Sequence, residues 1–246
     1  MASSAAHNPA TAVVLTSGGL DSTTVLAIAA ADGHRPLALT FRYGQSHDAE
    51  IAAAERVARS AAVADHWILD VPLGQIGGSA LVGDGPIPDA APTDVGGPEI
   101  PVTYVPARNL VFLSLATACA EARGIRDIYI GVNAVDYSGY PDCRPAFIES
   151  FAATANLGTR DGVENPETVS GDVFGAEPWF RIHTPLADRS KADIIRAGLA
   201  LGVDYAQTVS CYRADVDGRA CGRCDACELR RRGFEQAGAA DPTRYG

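Results

Sequence analysis

The feature that most constrains the fold is a glycine turn between the first apolar run of the chain and its first helical stretch. Residues 12–16 (AVVLT) are apolar in the manner of a buried parallel strand. Residues 17–21 (SGGLD) follow directly, and the pattern predicts a helix from Ser22 to about Asp32, ended by Gly33. A strand, a tight turn and a helix in succession predict the first unit of an α/β sheet.

The alternation of strands and helices continues along the chain. It predicts strands at residues 36–42, 66–71, 127–133 and 180–184, and helices at residues 49–64, 109–123, 144–157 and 190–201. This order is typical of an open, doubly wound, mainly parallel sheet with helices on both faces.

The glycine turn also has the properties of an anion-binding loop. Gly18 and Gly19 allow a sharp turn with inward N–H groups, at the positive end of the following helix. A plain glycine turn with a capping serine is the alternative, but this turn lies directly after the first buried strand, where nucleotide phosphates bind in such sheets. Asp21 is predicted to hold Mg²⁺ or to fix the loop by accepting backbone N–H bonds.

The order SGGLDS resembles the PP-loop of the ATP pyrophosphatases, and the turn contains neither a Walker-type phosphate loop nor a dinucleotide fingerprint. Members of that superfamily cleave ATP between the α and β phosphates, adenylate a substrate oxygen and let a nitrogen or sulfur nucleophile displace AMP. The resemblance predicts that ATP contacts Thr16, Ser17, Gly18, Gly19, Leu20, Asp21, Ser22, Thr23, Thr24, Val25 and Leu26.

The last part of the chain carries four cysteines with the spacing C-x9-C-x2-C-x2-C. The two-residue gaps let thiolates converge on one ion, and four sulfurs leave no open coordination position, which favours a structural Zn²⁺. A redox C-x-x-C pair fits less well because three cysteines share the spacing, while an iron–sulfur cluster stays open as an alternative. The predicted ligands are Cys211, Cys221, Cys224 and Cys227.

Substrate contacts are expected after the strand at 127–133, because ligands of parallel sheets bind at the carboxyl ends of the strands. The aromatic faces, carboxylates and arginine found there suit a flat heterocycle with N–H donors on one edge. A plain turn-rich loop would not account for so many aromatic and charged residues. The predicted contacts are Asp136, Tyr137, Tyr140, Asp142 and Arg144, with Cys143 left as either a contact or an uninvolved thiol.

Asp21, Arg108 and Lys191 are the candidate catalytic residues. Arg108 opens a predicted helix and offers a second anion-binding arginine. Lys191 is the one lysine beside nineteen arginines, and it stands at the first position of a helix capped by Ser190, where a cation opposes the helix dipole. An ammonium kept there is predicted to face an ATP phosphate or a substrate carboxylate, with a lone surface lysine as the alternative. Residues expected to border the adenosine are Phe41, Tyr43, Gly44, Gln45 and His47.

The chain resembles the 7-cyano-7-deazaguanine synthase family of queuosine precursor biosynthesis in the stretches SGGLDSTT, FRYGQSHDAEI, VPARN, GVNAVDYSGYPDCRP, SKADIIR and CGRCDACELRRRGFEQAG. The resemblance covers nearly the whole chain from residue 13. It implies a PP-loop (adenine nucleotide alpha hydrolase-like) fold, a zinc ion and ATP. It also implies conversion of 7-carboxy-7-deazaguanine and ammonia into a nitrile, through adenylated acid and amide intermediates.

These features divide the chain into three parts. We expect a disordered tail at residues 1–11, an ATP-binding catalytic domain at 12–209 and a zinc-binding helical segment at 210–246. Residues 72–103 and 158–178 are rich in glycine and proline and are interpreted as insertions in the domain, of the kind that form functional loops or a mobile lid.

The net charge of −10 argues against a large nucleic-acid footprint, because phosphate contacts need clustered cations. The basic run at residues 230–232 is interpreted as a solvated helix face. The charge disfavours a PP-loop tRNA-modifying ligase or thiolase, and a non-enzymatic zinc module would leave the phosphate loop unexplained. No apolar run reaches the ~20 residues that cross a bilayer, and no secretory signal is visible. We therefore expect a cytoplasmic enzyme of small molecules, with a homodimer as the candidate assembly.

Overall fold

The structure is a computed structural model that describes residues 10–45, 48–83, 85–90, 100–133, 139–165 and 178–246. Its strands are β1 (Ala12–Leu15), β2 (Pro36–Arg42), β3 (Asp65–Asp70), β4 (Asp127–Tyr129) and β5 (Arg181–His183). They form one sheet in the order β3-β2-β1-β4-β5, and every neighbouring pair is parallel. The prediction of an open parallel α/β sheet is confirmed.

Helices pack on both faces of this sheet. They are α1 (Leu20–Ala31), α2 (Ala49–Ser60), α3 (Leu73–Ile76), α4 (Arg108–Arg123), α5 (Pro145–Gly158), α6 (Arg160–Glu164), α7 (Lys191–Ala200) and α8 (Asp225–Ala237), with 3₁₀ turns at Pro141–Cys143 and Tyr205–Gln207. Within the part of the chain that the structure describes, none of them is both long and apolar enough to cross a membrane.

Each face of the sheet has its own hydrophobic core. Val13 of β1 belongs to the core that contains Leu113 of α4. Its neighbour Val14 points the other way and belongs to the core that contains Leu26 of α1 and Ile194 of α7. Because helices cover both faces, β1 is apolar at every position and shows no alternation with polar residues.

Two predicted boundaries differ from the structure in ways that affect the site. Helix α1 starts at Leu20 instead of Ser22, so Asp21 lies in its first turn. Strand β4 ends at Tyr129 instead of Asn133. The N–H of Ile130 still donates to the carbonyl of His183 in β5 at 3.0 Å, and residues 130–133 line a cavity.

The described residues of the first insertion pack against the rest of the chain. Leu81 and Val82 are buried in the core, and the N–H of Ala90 donates to the carbonyl of Arg223 at 2.7 Å. In the second insertion, the side chain of Thr159 caps α6. The division into domains stays a prediction, because residues 1–9, 84, 91–99 and 166–177 lie outside the described residues.

The strand order changes direction between β1 and β4. From β1 the chain proceeds outward to β2 and β3, and then crosses to β4 and β5 on the other side. The loops that follow β1 and β4 therefore diverge, which leaves a crevice at the carboxyl ends of these strands. Ligands of open α/β sheets bind in such a crevice.

Candidate functional site

A cavity of about 220 Å³ lies in the crevice. One side, which we call the loop wall, consists of residues 15–17 and 19–22 together with residues 209 and 210. The other side, which we call the opposite wall, is made by Tyr43, Glu50, Arg108, Asn109, Tyr140 and Cys143. The turn predicted to bind phosphate thus faces a set of polar and charged side chains from β2, α2, α4 and the turn before α5.

The two glycines of the loop differ in their conformation and surroundings. Gly18 has a φ of +81°, and a Cβ added there would lie 2.3 Å from the backbone N of Ala54 in α2. Gly19 has a φ of −80°, and the nearest atom to an added Cβ would be Ser17 Oγ at 3.4 Å. Gly18 therefore lets α2 pack directly against the loop, whereas Gly19 lines the cavity.

Hydroxyl groups and backbone amides are gathered at the loop. Ser22 Oγ accepts a hydrogen bond from Ser17 N–H at 3.1 Å and lies 3.0 Å from Ser17 Oγ. The N–H of Gly19 donates to Ser17 Oγ at 3.3 Å. These donors surround the N-terminus of α1, where the helix dipole favours an anion.

The predicted ATP contacts divide into two groups. Residues 16–22 line the cavity, apart from Gly18. Thr24 is fully buried in α1 and shares a hydrogen bond with the hydroxyl of Tyr205 at 2.8 Å. The residues next to it are also buried. The structure therefore places five predicted contacts outside the cavity lining: Gly18, Thr23, Thr24, Val25 and Leu26.

Lys191 is joined to the loop wall by an ion pair. Its Nζ lies 2.8 and 2.9 Å from the two carboxylate oxygens of Asp21, and its side chain is only 7% exposed. The side chain of Ser190 caps α7 by accepting from the N–H of Asp193, as the sequence predicts. The predicted anion partner of Lys191 is thus the carboxylate of Asp21 in this structure. The hydrogen bonds that Asp21 accepts among the described residues come from this ammonium group, whereas backbone amides were the predicted donors.

Two glycines allow close packing around α7, one against Lys191 and one against Tyr205. A Cβ on Gly233 of α8 would lie 2.4 Å from Cγ of Lys191, so the lysine stem packs directly on α8. A Cβ on Gly198 of α7 would lie 1.9 Å from the hydroxyl of Tyr205. The position of Lys191 therefore depends on close packing between α7 and the cysteine-rich segment.

Residues just before the cysteine cluster hold the loop from the other side. The N–H of Val209 donates to the carbonyl of Gly18 at 3.0 Å. The N–H of Leu20 donates to Ser210 Oγ at 3.1 Å, across 190 residues of sequence. Ser210 thus contributes a third serine hydroxyl to the loop wall, beside Ser17 and Ser22.

Arg230 of α8 is buried behind Ser210, with 3% of the residue exposed. Its guanidinium donates to Thr208 Oγ1 at 2.7 Å, to Ser210 Oγ at 3.4 Å and to the carbonyl of Tyr205 at 3.0 Å. It also pairs with Asp241 at 3.1 Å. The prediction of a solvated helix face at 230–232 is wrong for Arg230 and correct for the next two arginines, which are exposed and pair with Glu228.

The opposite wall holds ionisable groups in a desolvated setting. Burial raises the pKa of Glu50 to about 7, with Arg108 acting in the other direction. Burial also raises the pKa of Tyr43 to about 12. Burial alone would lower the pKa of Arg108, but Tyr43 and its acidic neighbours raise it, so the guanidinium stays charged.

Asp142 lies directly behind the opposite wall. Its Oδ2 accepts from the N–H of Asn109 at 2.9 Å, whereas its buried Oδ1 has no hydrogen-bond partner among the described residues. Asn109 Nδ2 lies 3.5 Å from Cys143 Sγ. Burial raises the pKa of Cys143 to about 12, so its thiol is neutral near pH 7.

The other residues predicted to contact the substrate differ in whether they line the cavity. Tyr140 lines the cavity and shares a hydrogen bond with Thr103 Oγ1 at 2.8 Å. Arg144 is exposed at the start of α5 and does not line the cavity. The predictions for Asp136, Tyr137 and His47 fall on residues outside the described part of the chain.

The four cysteines of the C-terminal segment come together. All four Sγ atoms lie within 4.8 Å of one another, and the closest pairs are 3.6, 3.9 and 4.0 Å apart. Zn–S bonds of about 2.3 Å place tetrahedral sulfurs about 3.8 Å apart, so the spacing fits the ligand shell of one zinc-sized ion. The cluster, which comprises Cys211, Cys221, Cys224 and Cys227, packs against Ala53 of α2.

Sequence reasoning missed Glu50, Ser210 and Arg230. An acid in the first turn of a helix has an ordinary explanation in the helix dipole, and a serine beside a cysteine carries no signal of its own. A signal for Arg230 exists, because it stands four residues after Ala226 and four before Phe234, both buried on α8.

Comparisons with known proteins agree with this site. The family model described as "Queuosine biosynthesis protein QueC" matches residues 11–238. A protein of Solidesulfovibrio magneticus named "7-cyano-7-deazaguanine synthase" is 58% identical over 239 residues, which cover 96% of each chain. A protein of Azoarcus sp. with the same name is 59% identical over 234 residues, which cover 95% of this chain and 96% of that one.

Proposed function

The chain belongs to the family described as queuosine biosynthesis protein QueC, and we propose that it is an ATP-dependent ligase that makes 7-cyano-7-deazaguanine. Its substrates are 7-carboxy-7-deazaguanine, ammonia and ATP. One observation carries the proposal: a single cavity at the strand switch point has a phosphate-type loop on one wall and the ionisable side chains of Arg108 and Glu50 on the other. Such a cavity can hold ATP and a small heterocyclic acid face to face.

The reaction needs activation because a carboxylate oxygen is a poor leaving group. Attack of the carboxylate on the α phosphate of ATP gives an acyl-adenylate and pyrophosphate, and ammonia then displaces AMP to form an amide. Attack of the amide oxygen on the α phosphate of another ATP gives a second adenylate and a second pyrophosphate. Loss of AMP from it, with loss of the remaining N–H protons, forms the nitrile.

The residues of the cavity have roles in these steps. The loop hydroxyls and the N-terminus of α1 stabilise the charge that develops on pyrophosphate, and Lys191 supports them from beside Asp21. Both oxygens of Asp21 accept from Lys191, so we assign Mg²⁺ to the phosphates of ATP instead of to Asp21. Arg108 binds the carboxylate or the α phosphate, and Asp142 accepts from the N–H edge of the heterocycle.

The cysteine cluster holds a structural zinc in this proposal. The sulfur spacing suits one ion, and the number of sulfur ligands leaves no open coordination position for chemistry. The ion fixes the segment that carries Ser210 to the loop wall. The cytoplasmic location and the homodimer stay predictions.

The test is mass spectrometry of the products formed from ATP, ammonia and 7-carboxy-7-deazaguanine. We expect the nitrile, AMP and pyrophosphate, with no product when ATP is omitted. Absence of the nitrile, or equal turnover of a tRNA substrate, would overturn the proposal.

A further inference from the structure

Glu50 is an acid in a cavity that we assign to anions. It stands in the first turn of α2 and lines the cavity, and its carboxylate has no hydrogen-bond or ion-pair partner among the described residues. A Cβ on Gly18 would lie 2.7 Å from the backbone O of Glu50, which places this turn of α2 directly against the loop. The acid thus lines the same cavity as the loop to which we assign the phosphates of ATP.

An unpartnered acid at this place requires an explanation. The triphosphate and the carboxylate of the substrate are both negative, so Glu50 would repel them in its ionised form. Arg108 is close enough to affect the pKa of Glu50, but no ion pair joins the two within the described residues. A role in packing does not account for a charged group at the cavity surface, whereas a cationic ligand does.

The remaining substrate of the proposed reaction is cationic near neutral pH. We propose that Glu50 forms an ammonium subsite, in which its carboxylate binds NH₄⁺ and accepts one proton to deliver NH₃ to the adenylated acid. This inference rests on the proposed function, since it assigns the site of one of its substrates.

The proton and electron balance is simple. Ammonium has no lone pair, so its N–H bond must break before nitrogen can attack, and the proton passes to the carboxylate of Glu50. The nitrogen lone pair then forms the C–N bond, the C–O bond to AMP breaks, and a second proton leaves nitrogen to give the neutral amide. The raised pKa of Glu50, about 7, suits a group that takes up and releases a proton at neutral pH.

The test separates adenylation from attack by ammonia in the variant Glu50→Gln. Exchange of labelled pyrophosphate into ATP in the presence of the acid reports adenylation and needs no ammonia. Hydroxylamine is largely unprotonated at neutral pH, so it traps the adenylate as a hydroxamate without a base. We expect exchange and hydroxamate formation within about twofold of wild type, and amide and nitrile formation from ammonia reduced by ~10²-fold or more.

Glu55→Gln is the matched control, because Glu55 lies on the same helix with an exposed side chain paired to Arg59. It should leave all three activities unchanged. Loss of exchange in a folded Glu50→Gln protein would overturn the inference, since Glu50 would then serve adenylation. Unchanged use of ammonia would overturn it as well. Absence of exchange in the wild type would instead refute the proposed function.

If Glu50→Gln does not fold, Glu50→Asp replaces it. Asp keeps the charge but moves it back by one methylene, so we expect ammonia use to fall while hydroxylamine use remains. A proportional fall in both would count against the subsite.

Discussion

The two walls of the cavity differ in how completely their polar groups are satisfied. On the loop wall the hydroxyls of Ser17, Ser22 and Ser210 bond to backbone amides, and Asp21 is paired with Lys191. On the opposite wall, Glu50 has no hydrogen-bond or ion-pair partner among the described residues. Behind that wall, Asp142 Oδ1 is buried and has no partner among them either. A wall that is complete without ligand can hold a fixed geometry for phosphates, whereas an incomplete wall is completed by the substrate that it selects.

The largest expected effect comes from removing the support of the loop wall. Cys224→Ser should abolish metal binding and cost up to about 10 kcal/mol in the free energy of unfolding, because metal binding and folding of such sites are coupled. Elemental analysis and urea unfolding measure the two effects. Cys119→Ser is the control, since Cys119 lies outside the cluster on α4. Full stability without metal would show that the loop wall does not depend on the ion.

Arg230→Met should have the next largest effect. Removing one partner of a buried ion pair leaves Asp241 uncompensated and costs about 3–5 kcal/mol. We also expect a higher KM for ATP, because Ser210 loses its support. Arg232→Met, on the exposed side of the same helix and paired with Glu228, should change stability by no more than about 0.5 kcal/mol. Equal effects of the two substitutions would contradict the role of Arg230.

Lys191→Arg tests the pair at the loop wall without changing its charge. The stem of Lys191 packs on Gly233, so a larger guanidinium cannot keep both the packing and the bonds to Asp21. We expect kcat/KM to fall by about 10²-fold, or about 3 kcal/mol, the value of a hydrogen bond to a charged group. Arg196→Lys on the same helix is the control. Wild-type activity of the Lys191→Arg variant would contradict a role for Lys191 in the reaction.

Asp142→Asn should have the smallest effect. It should weaken binding of the heterocyclic acid and leave binding of ATP unchanged. Asn keeps an oxygen that can accept from the N–H of Asn109, but it lacks the second acceptor that the heterocycle would use. We expect KM for 7-carboxy-7-deazaguanine to rise about tenfold, with KM for ATP unchanged. Glu149→Gln, exposed on α5, is the control. A rise in KM for ATP would place Asp142 on the nucleotide side.

The elements of the fold could be predicted because their signals are local. Strand β2 was predicted with the bounds it has, and the cysteine spacing indicated a cluster that the structure contains. The sheet order could not be deduced this way, because it depends on which face of the sheet each connection crosses. The length of β4 was overestimated because the apolar residues Ile130 and Val132 continue the strand-like pattern beyond Tyr129, where the strand ends.

The site was only partly predictable, because its contacts join distant parts of the chain. The sequence indicated that Lys191 would face an anion, but its partner Asp21 is 170 residues away. Nothing near Glu50 in the sequence indicates that its position on α2 faces the cavity. The burial of Arg230 was not predicted, because it stands in a run with two arginines that are exposed on α8. Its spacing from the buried residues of the same helix was given too little weight.

The hydrogen bond between Leu20 and Ser210 has a consequence for the order in which the protein is made. The loop leaves the ribosome early, and the serine that completes it follows 190 residues later. At about 5–20 residues per second, the interval is roughly 10–40 s. During that time the nascent chain carries a phosphate loop whose support has not yet been synthesised. Until the cysteine-rich segment has emerged, the loop lacks its hydrogen bonds with Val209 and Ser210.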